Sequence, residues 1–128
     1  MSYPSSRSAE NGLMKGGCVF TMVKEKEFDI AKNIRLVEWL KSEILTAVAE
    51  LFKLLTNGIK DSQDALADCL ASIIVICYLL GKRLGVQFSM IDHKVDNKIR
   101  LGIIEEHDVE KYYGDLSTLS QYLKESRE

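Results

Sequence analysis

The sequence predicts an all-α protein, an antiparallel helical hairpin followed by shorter C-terminal helices. Three observations predict it. The only proline is Pro4, so nothing downstream removes a helical hydrogen bond or clashes with the preceding turn. Apolar residues recur every three or four positions over two long stretches, the period of a helix with a buried stripe. Between those stretches lies Asn57-Gly58, a pair suited to ending a helix in the left-handed conformation.

The first helix is expected over Glu27 to Thr56. Its apolar seam is Ile30, Ile34, Val37, Ile44, Val48, Leu51 and Leu55, with Lys41 as the polar member. A second stripe carries Leu36, Leu40, Glu43, Ala47, Glu50 and Leu54. The second helix is expected over Ser62 to Leu84, with Asp61 as N-cap and Asp64 in the first turn, where a helix favours negative charge. Its seam is Leu66, Leu70, Ile73, Cys77, Leu80 and Leu84. Ile74, Val75, Ile76 and Leu79 are apolar too, so this helix is expected to be buried nearly all round. Gly85 is its expected stop.

Ser89 and Asp92 have the spacing of a capping box, which places a third helix from Met90. Ile91, Val95 and Ile99 form its apolar edge, and Lys94, Lys98 and Arg100 make it basic. Residues 102–114 read as partly helical. Asp115 then caps a last short helix with Leu116, Leu119 and Leu123 inward. A hairpin covers only one face of each long helix, and the second helix has apolar surface to spare. A homodimer that completes a four-helix bundle is therefore expected.

The chain has 128 residues, of which 46% are hydrophobic, enough for one domain with a core. Residues 1–22, rich in Ser and Gly, read as a flexible tail or as sequence ahead of a later start at Met14 or Met22. Residues 23–128 read as a single helical domain. The net charge is −2 and the pI about 5.7, which argues against a basic footprint for duplex nucleic acid. Cys18, Cys69 and Cys77 are odd in number and contain no CxxC. That fits a reducing cytoplasm and gives no zinc framework. The longest charge-free apolar run, Cys69 to Gly81, is shorter than the ~18–20 residues of a membrane span, so no membrane partner is expected.

Chemistry points to the acids. Glu43 and Glu50 are seven residues apart, as are Asp61 and Asp68, with Asp64 between. Such spacings share one helical face. Glu50 lies seven residues before Asn57, and Asp68 ten after Gly58, so an antiparallel hairpin sets them at similar height. Carboxylates brought together this way repel and resist desolvation. A shared cation relieves that, and so does a lysine or arginine from a neighbouring helix, or simple exposure. Asp64 and Asp61 are also explained by the helix dipole and by capping. Oxygen-only donors suit a hard ion, Mg2+ or Mn2+. Metal ions of this kind clamp polyphosphates and activate water. Lys94 and Lys98 then become candidate phosphate contacts, unless they form an ordinary solvated face.

His93 and His107 are isolated, the run from Glu105 to Glu110 reads as solvated charge, and Tyr112, Tyr113 and Tyr122 read as core or rim aromatics. No nucleophilic triad, phosphate-binding glycine loop or dinucleotide fingerprint is present.

The segments AVAELFKLL (47–55), DALADCLASIIVICYLLGKRLGV (64–86), DHKVDNKIRLGI and YYGDLSTLSQYL resemble the MazG-like branch of the all-α nucleoside triphosphate pyrophosphohydrolases. The resemblance covers about residues 28–124. It implies an ExxE motif on one helix and an ExxD motif on the next, both binding Mg2+, and cleavage of a nucleoside triphosphate to the monophosphate and pyrophosphate. By position, the second Glu of ExxE is Glu50 and the Asp of ExxD is Asp68. The two first positions fall on Ala47 and Ala65 and have lost their carboxylates. Glu43 and Asp64 are the nearest substitutes. The resemblance thus implies catalytic and metal roles for Glu50 and Asp68, with Glu43 and Asp64 assisting. The alternative is a catalytically impaired nucleotide-binding, regulatory or structural relative.

Overall fold

The computed structural model describes the backbone of residues 18–57 and 63–127, and the side chains at 29–56 and 63–127. Five α-helices and no strand occur among the described residues, as the absence of internal proline and the helical periodicity require. The chain forms two compact units, Met1–Gly85 and Val86–Glu128.

The first unit is the hairpin of α1 (Cys18–Asn57) and α2 (Gln63–Arg83). Helix α1 begins nine residues before the expected Glu27, and Cys18–Met22, which the sequence assigned to the tail, belong to it. Leu40 is 3% exposed and Ile76 only 1%, and Cys69 is buried with them. The Cys69 thiol donates a hydrogen bond to the Ala47 carbonyl oxygen at 3.2 Å. Ala47 thus faces Cys69 directly, and α1 meets α2 along Leu36, Leu40, Ala47 and Leu54. This is the stripe that carries the acids, not the predicted seam. Ile30, Ile34, Val48 and Leu55 of that seam are exposed, as are Leu70 and Leu84 of the α2 seam. Nor is α2 buried all round, for Ile74, Val75 and Leu79 are exposed.

The reason is geometric. Each residue turns a helix by ~100°. Val48 and Leu55 follow Ala47 and Leu54 by one residue, so they sit a quarter-turn to one side of the contact line. Leu70 and Cys77 stand in the same relation to Cys69 and Ile76. Glu43, Glu50 and Asp68 fall on the other side. Antiparallel packing sets like sides together, so the hairpin has an acidic front and an apolar back. The strongest sequence periodicity marks the back.

Gly85 ends α2 with φ +88°, as expected, and the Gly85 amide donates to the Lys82 carbonyl oxygen. Asn57 is the last residue of α1, while Gly58 and the Asp61 cap lie outside the described residues. By length and composition α2 also meets the description of a membrane span, with a mean hydropathy of 1.9. Only 11% of that window is buried, so the short charge-free run that argued against a span in the sequence does not exclude this helix as a candidate.

The second unit contains α3 (Phe88–Ile104), α4 (Asp108–Tyr113) and α5 (Asp115–Ser126). Helix α3 starts before the expected Met90. Its N-cap is Gln87, which makes no side-chain cap bond, and Ser89 lies inside the first turn. Ile99 is buried on the expected edge. Helices α3 and α5 approach closely at Gly102, where a Cβ would come 2.7 Å from Leu116 Cδ1. A larger residue there would have to displace the tip of the Leu116 side chain. Arg127 reaches Asp96 at 3.4 Å and Asp92 at 3.8 Å on α3.

His107 N-caps α4, its Nδ1 accepting from the Val109 amide at 3.3 Å. Gly114, at φ +67°, is at once the C-cap of α4 and the N-cap of α5. Asp115 is therefore the first helical residue and not the cap. Glu110 departs from the solvated charge run: it accepts the Ser117 amide at 2.9 Å and the Ser117 hydroxyl, tying α4 to α5. Those Ser117 bonds hold its carboxyl below the ordinary 4.5. Tyr112, Tyr113 and Tyr122 are exposed, not core.

Candidate functional site

The hairpin front carries a cavity of about 350 Å³ lined from both helices. Helix α1 supplies Glu43, Thr46, Ala47, Glu50 and Leu54, and α2 supplies Ala65, Asp68, Cys69, Ser72 and Ile76. Two residues place these groups. Cys69, seated on the Ala47 carbonyl, fixes the height of α2 against α1. Asp68, one residue earlier on the helix, is thereby turned toward the side on which Glu43 and Glu50 stand. Glu43 is half-buried, whereas Glu50 and Asp68 are exposed at the cavity mouth.

Of the five acids taken from the sequence, Glu43, Glu50 and Asp68 line one cavity, and Asp61 lies outside the described residues. Asp64 does not line it; it is exposed in the first turn of α2, where the helix dipole accounts for it. Lys94 and Lys98 are exposed on α3, in the second unit. Glu50 has a lysine neighbour, Lys53, at 4.0 Å, with both side chains well exposed. An exposed i,i+3 pair at that distance is worth little and leaves the Glu50 carboxylate available.

Ala47 and Ala65 line the same cavity. The two missing carboxylates are thus missing from its wall. Thr46 and Ser72, which the sequence reading passed over, add hydroxyls to the lining. Their signal was available, since Thr46 lies four residues before Glu50 and Ser72 four after Asp68.

The donor chemistry suits a hard cation: carboxylates and hydroxyls from two helices, without imidazole. Among the described residues, however, no three His, Cys, Asp or Glu side chains are grouped closely enough to hold a metal ion by themselves. The residues present fit an ion that brings other ligands with it, namely waters and the oxygens of a bound phosphate. They do not fit a self-sufficient metal centre.

An all-helical chain whose hairpin lines one groove with carboxylates from two helices is what the sequence resemblance implied. The family comparison agrees. The chain belongs to the MazG-like family, whose profile matches residues 30–116 and so spans the hairpin, α3 and α4. No curated protein and no solved structure matches the chain.

Proposed function

We propose that the hairpin groove binds a nucleoside triphosphate with Mg2+ and that the protein hydrolyses it to the monophosphate and pyrophosphate. The observation that supports this most is that Glu43, Glu50 and Asp68, from two helices, line a single cavity. When bound, Mg2+ would supply charge neutralisation for the polyphosphate. Glu50 and Asp68 are the residues that would hold the ion. A groove carboxylate accepts a proton from the attacking water, since the lining offers no activated side-chain nucleophile. Thr46 and Ser72 hydroxyls, which line the same cavity, would orient that water or a phosphate oxygen.

A second reading has its own support. Ala47 and Ala65 remove two carboxylates from the groove wall, which favours a nucleotide-binding relative with little or no turnover. One experiment separates the two. Purified protein is given a panel of nucleoside triphosphates with Mg2+, and pyrophosphate release and thermal stabilisation are both followed. Release that disappears in Asp68→Asn supports the enzyme. Stabilisation without release supports the binder. Neither effect at millimolar nucleotide removes both.

The apolar back calls for a second copy. Phe52 is 64% exposed and Ile74 is 57%, and Leu45, Val48, Leu55 and Leu70 are exposed with them. Two helices some 30 Å long and ~10 Å wide present a face of about 600 Å², close to the ~800 Å² per partner of a standard interface. A homodimer joined back to back forms a four-helix bundle and leaves both grooves open. Light scattering of the purified protein tests this: a monomer at tens of micromolar would rule it out.

A further inference from the structure

The acidic cavity is not the end of the groove. One turn further along the same front lies a pocket of about 230 Å³, lined by Leu36, Trp39 and Leu40 of α1 and Leu79, Lys82 and Arg83 of α2. Trp39, Glu43, Thr46 and Glu50 follow one another at four, three and four residues, so they stand on one face of α1. On α2, Ile76 of the cavity and Leu79 of the pocket are likewise one turn apart. The groove therefore changes character along its length. It is acidic and hydroxylated at one end, and apolar and aromatic at the other with basic groups beyond.

That gradient matches the two ends of a nucleotide. We propose that the Trp39 pocket receives the nucleobase of the triphosphate whose phosphates lie against Glu43, Glu50 and Asp68, an inference that rests on the nucleotide reading above. The rise of a helix puts Trp39 about 6 Å from Glu43 and about 16 Å from Glu50 along the axis, the span of an extended nucleoside triphosphate. Leu36, Leu40 and Leu79 give the base an apolar bed, and the indole of Trp39 gives it a surface to stack on. The far end is held in shape by a reciprocal pair: Asn33 Nδ2 donates to the Arg83 carbonyl oxygen at 3.2 Å, and Arg83 Nη1 donates to Asn33 Oδ1 at 3.3 Å. This pair sets the Arg83 guanidinium at the rim, where N–H donors suit a base with carbonyl acceptors on its edge. The pocket is smaller than the ~300–1,000 Å³ of a site that swallows a whole drug-sized ligand. It fits one ring system, with the rest of the molecule continuing along the groove.

Trp39 is the only tryptophan, so its emission reports on this pocket alone. The test titrates the full chain, with Mg2+, with non-hydrolysable nucleoside triphosphates and in parallel with inorganic tripolyphosphate. Binding is followed by calorimetry and by tryptophan fluorescence. Expected is binding of both probes with quenching by the nucleotides only, and a nucleotide affinity about tenfold weaker in Trp39→Leu, in keeping with base stacking, with tripolyphosphate affinity unchanged. Binding of both probes with equal affinity and unaltered Trp39 emission would overturn the inference while leaving the phosphate site intact. Absence of binding by either probe would overturn the site and the inference together. The fluorescence arm uses the wild-type chain, so the result stands even if Trp39→Leu fails to fold.

Discussion

Replacing Ile76 with alanine should destabilise the hairpin far more than the same change at Ile74. The two residues are chemically identical and two positions apart on α2, yet Ile76 is 1% exposed and Ile74 is outward. The substitution removes three carbons. At about 0.8 kcal/mol each, transfer alone accounts for ~2.4 kcal/mol at a fully buried site. The unfilled space raises the total to roughly 3–4 kcal/mol. With a urea m-value near 2 kcal/mol/M, the unfolding midpoint should fall by roughly 1.5–2 M. At Ile74 the loss within one chain should stay below ~1 kcal/mol. If the back face is covered by a second copy, a further Ile74→Ala effect appears and depends on protein concentration, because dimer dissociation is then coupled to unfolding. The assay is urea denaturation followed by Trp39 emission, which reports on the hairpin, at two protein concentrations well apart. An Ile76→Ala cost below ~1 kcal/mol, or equal and concentration-independent costs at both sites, would refute the assignment of front, contact line and back.

Other outcomes follow from the groove and from the second unit. Restoring a carboxylate with Ala65→Glu should tighten Mn2+ binding by about tenfold or more, ~1.4 kcal/mol, as read by calorimetry; unchanged affinity would mean that this position does not face the acids. Glu110 has its folded-state pKa lowered by the Ser117 bonds, so its stabilisation is complete above 4.5 and is lost as pH falls through the lowered value. Protection of the Ser117 amide from hydrogen exchange should accordingly fall on acidification below 4.5, and that acid step should be missing from Glu110→Gln. An acid step that persists in Glu110→Gln would assign it to another group.

Much of the fold was legible because its causes are local. The helices, the Gly85 stop and the Ile99 edge follow from periodicity and from glycine's freedom at positive φ. The caps were less legible. Ser89 and Asp115 are good capping residues by type, but Gln87 and Gly114 hold those positions. A tight turn through Gly114 serves two helices at once, which no single-helix rule captures. The hairpin contact was misread for a more instructive reason. The seam of Ile30, Ile34, Val48 and Leu55 is more apolar than the stripe through Leu40, Ala47 and Leu54, so periodicity pointed to it. Within one chain the less apolar stripe makes the contact, because the small Ala47 lets α2 approach closely enough for the Cys69 thiol to reach a backbone carbonyl. Periodicity detects a face to be covered, not the partner that covers it. That Glu43, Glu50 and Asp68 line one cavity was readable from spacing and hairpin height. Trp39 was not, since a lone tryptophan on an apolar helix ordinarily reads as core. Only the position of Leu79, Lys82 and Arg83 across from it turns that residue into the wall of a pocket.

The account depends on Glu50 and Asp68 acting on one ligand. The direct measurement is a double-mutant cycle, Glu50→Gln against Asp68→Asn, on the calorimetric affinity for the Mg2+ complex of a non-hydrolysable nucleoside triphosphate. Each single change should weaken binding about tenfold, and the double variant should lose little more than either alone, a coupling of roughly 1 kcal/mol or above. Losses that simply multiply, or an affinity indifferent to both changes, would contradict a shared site.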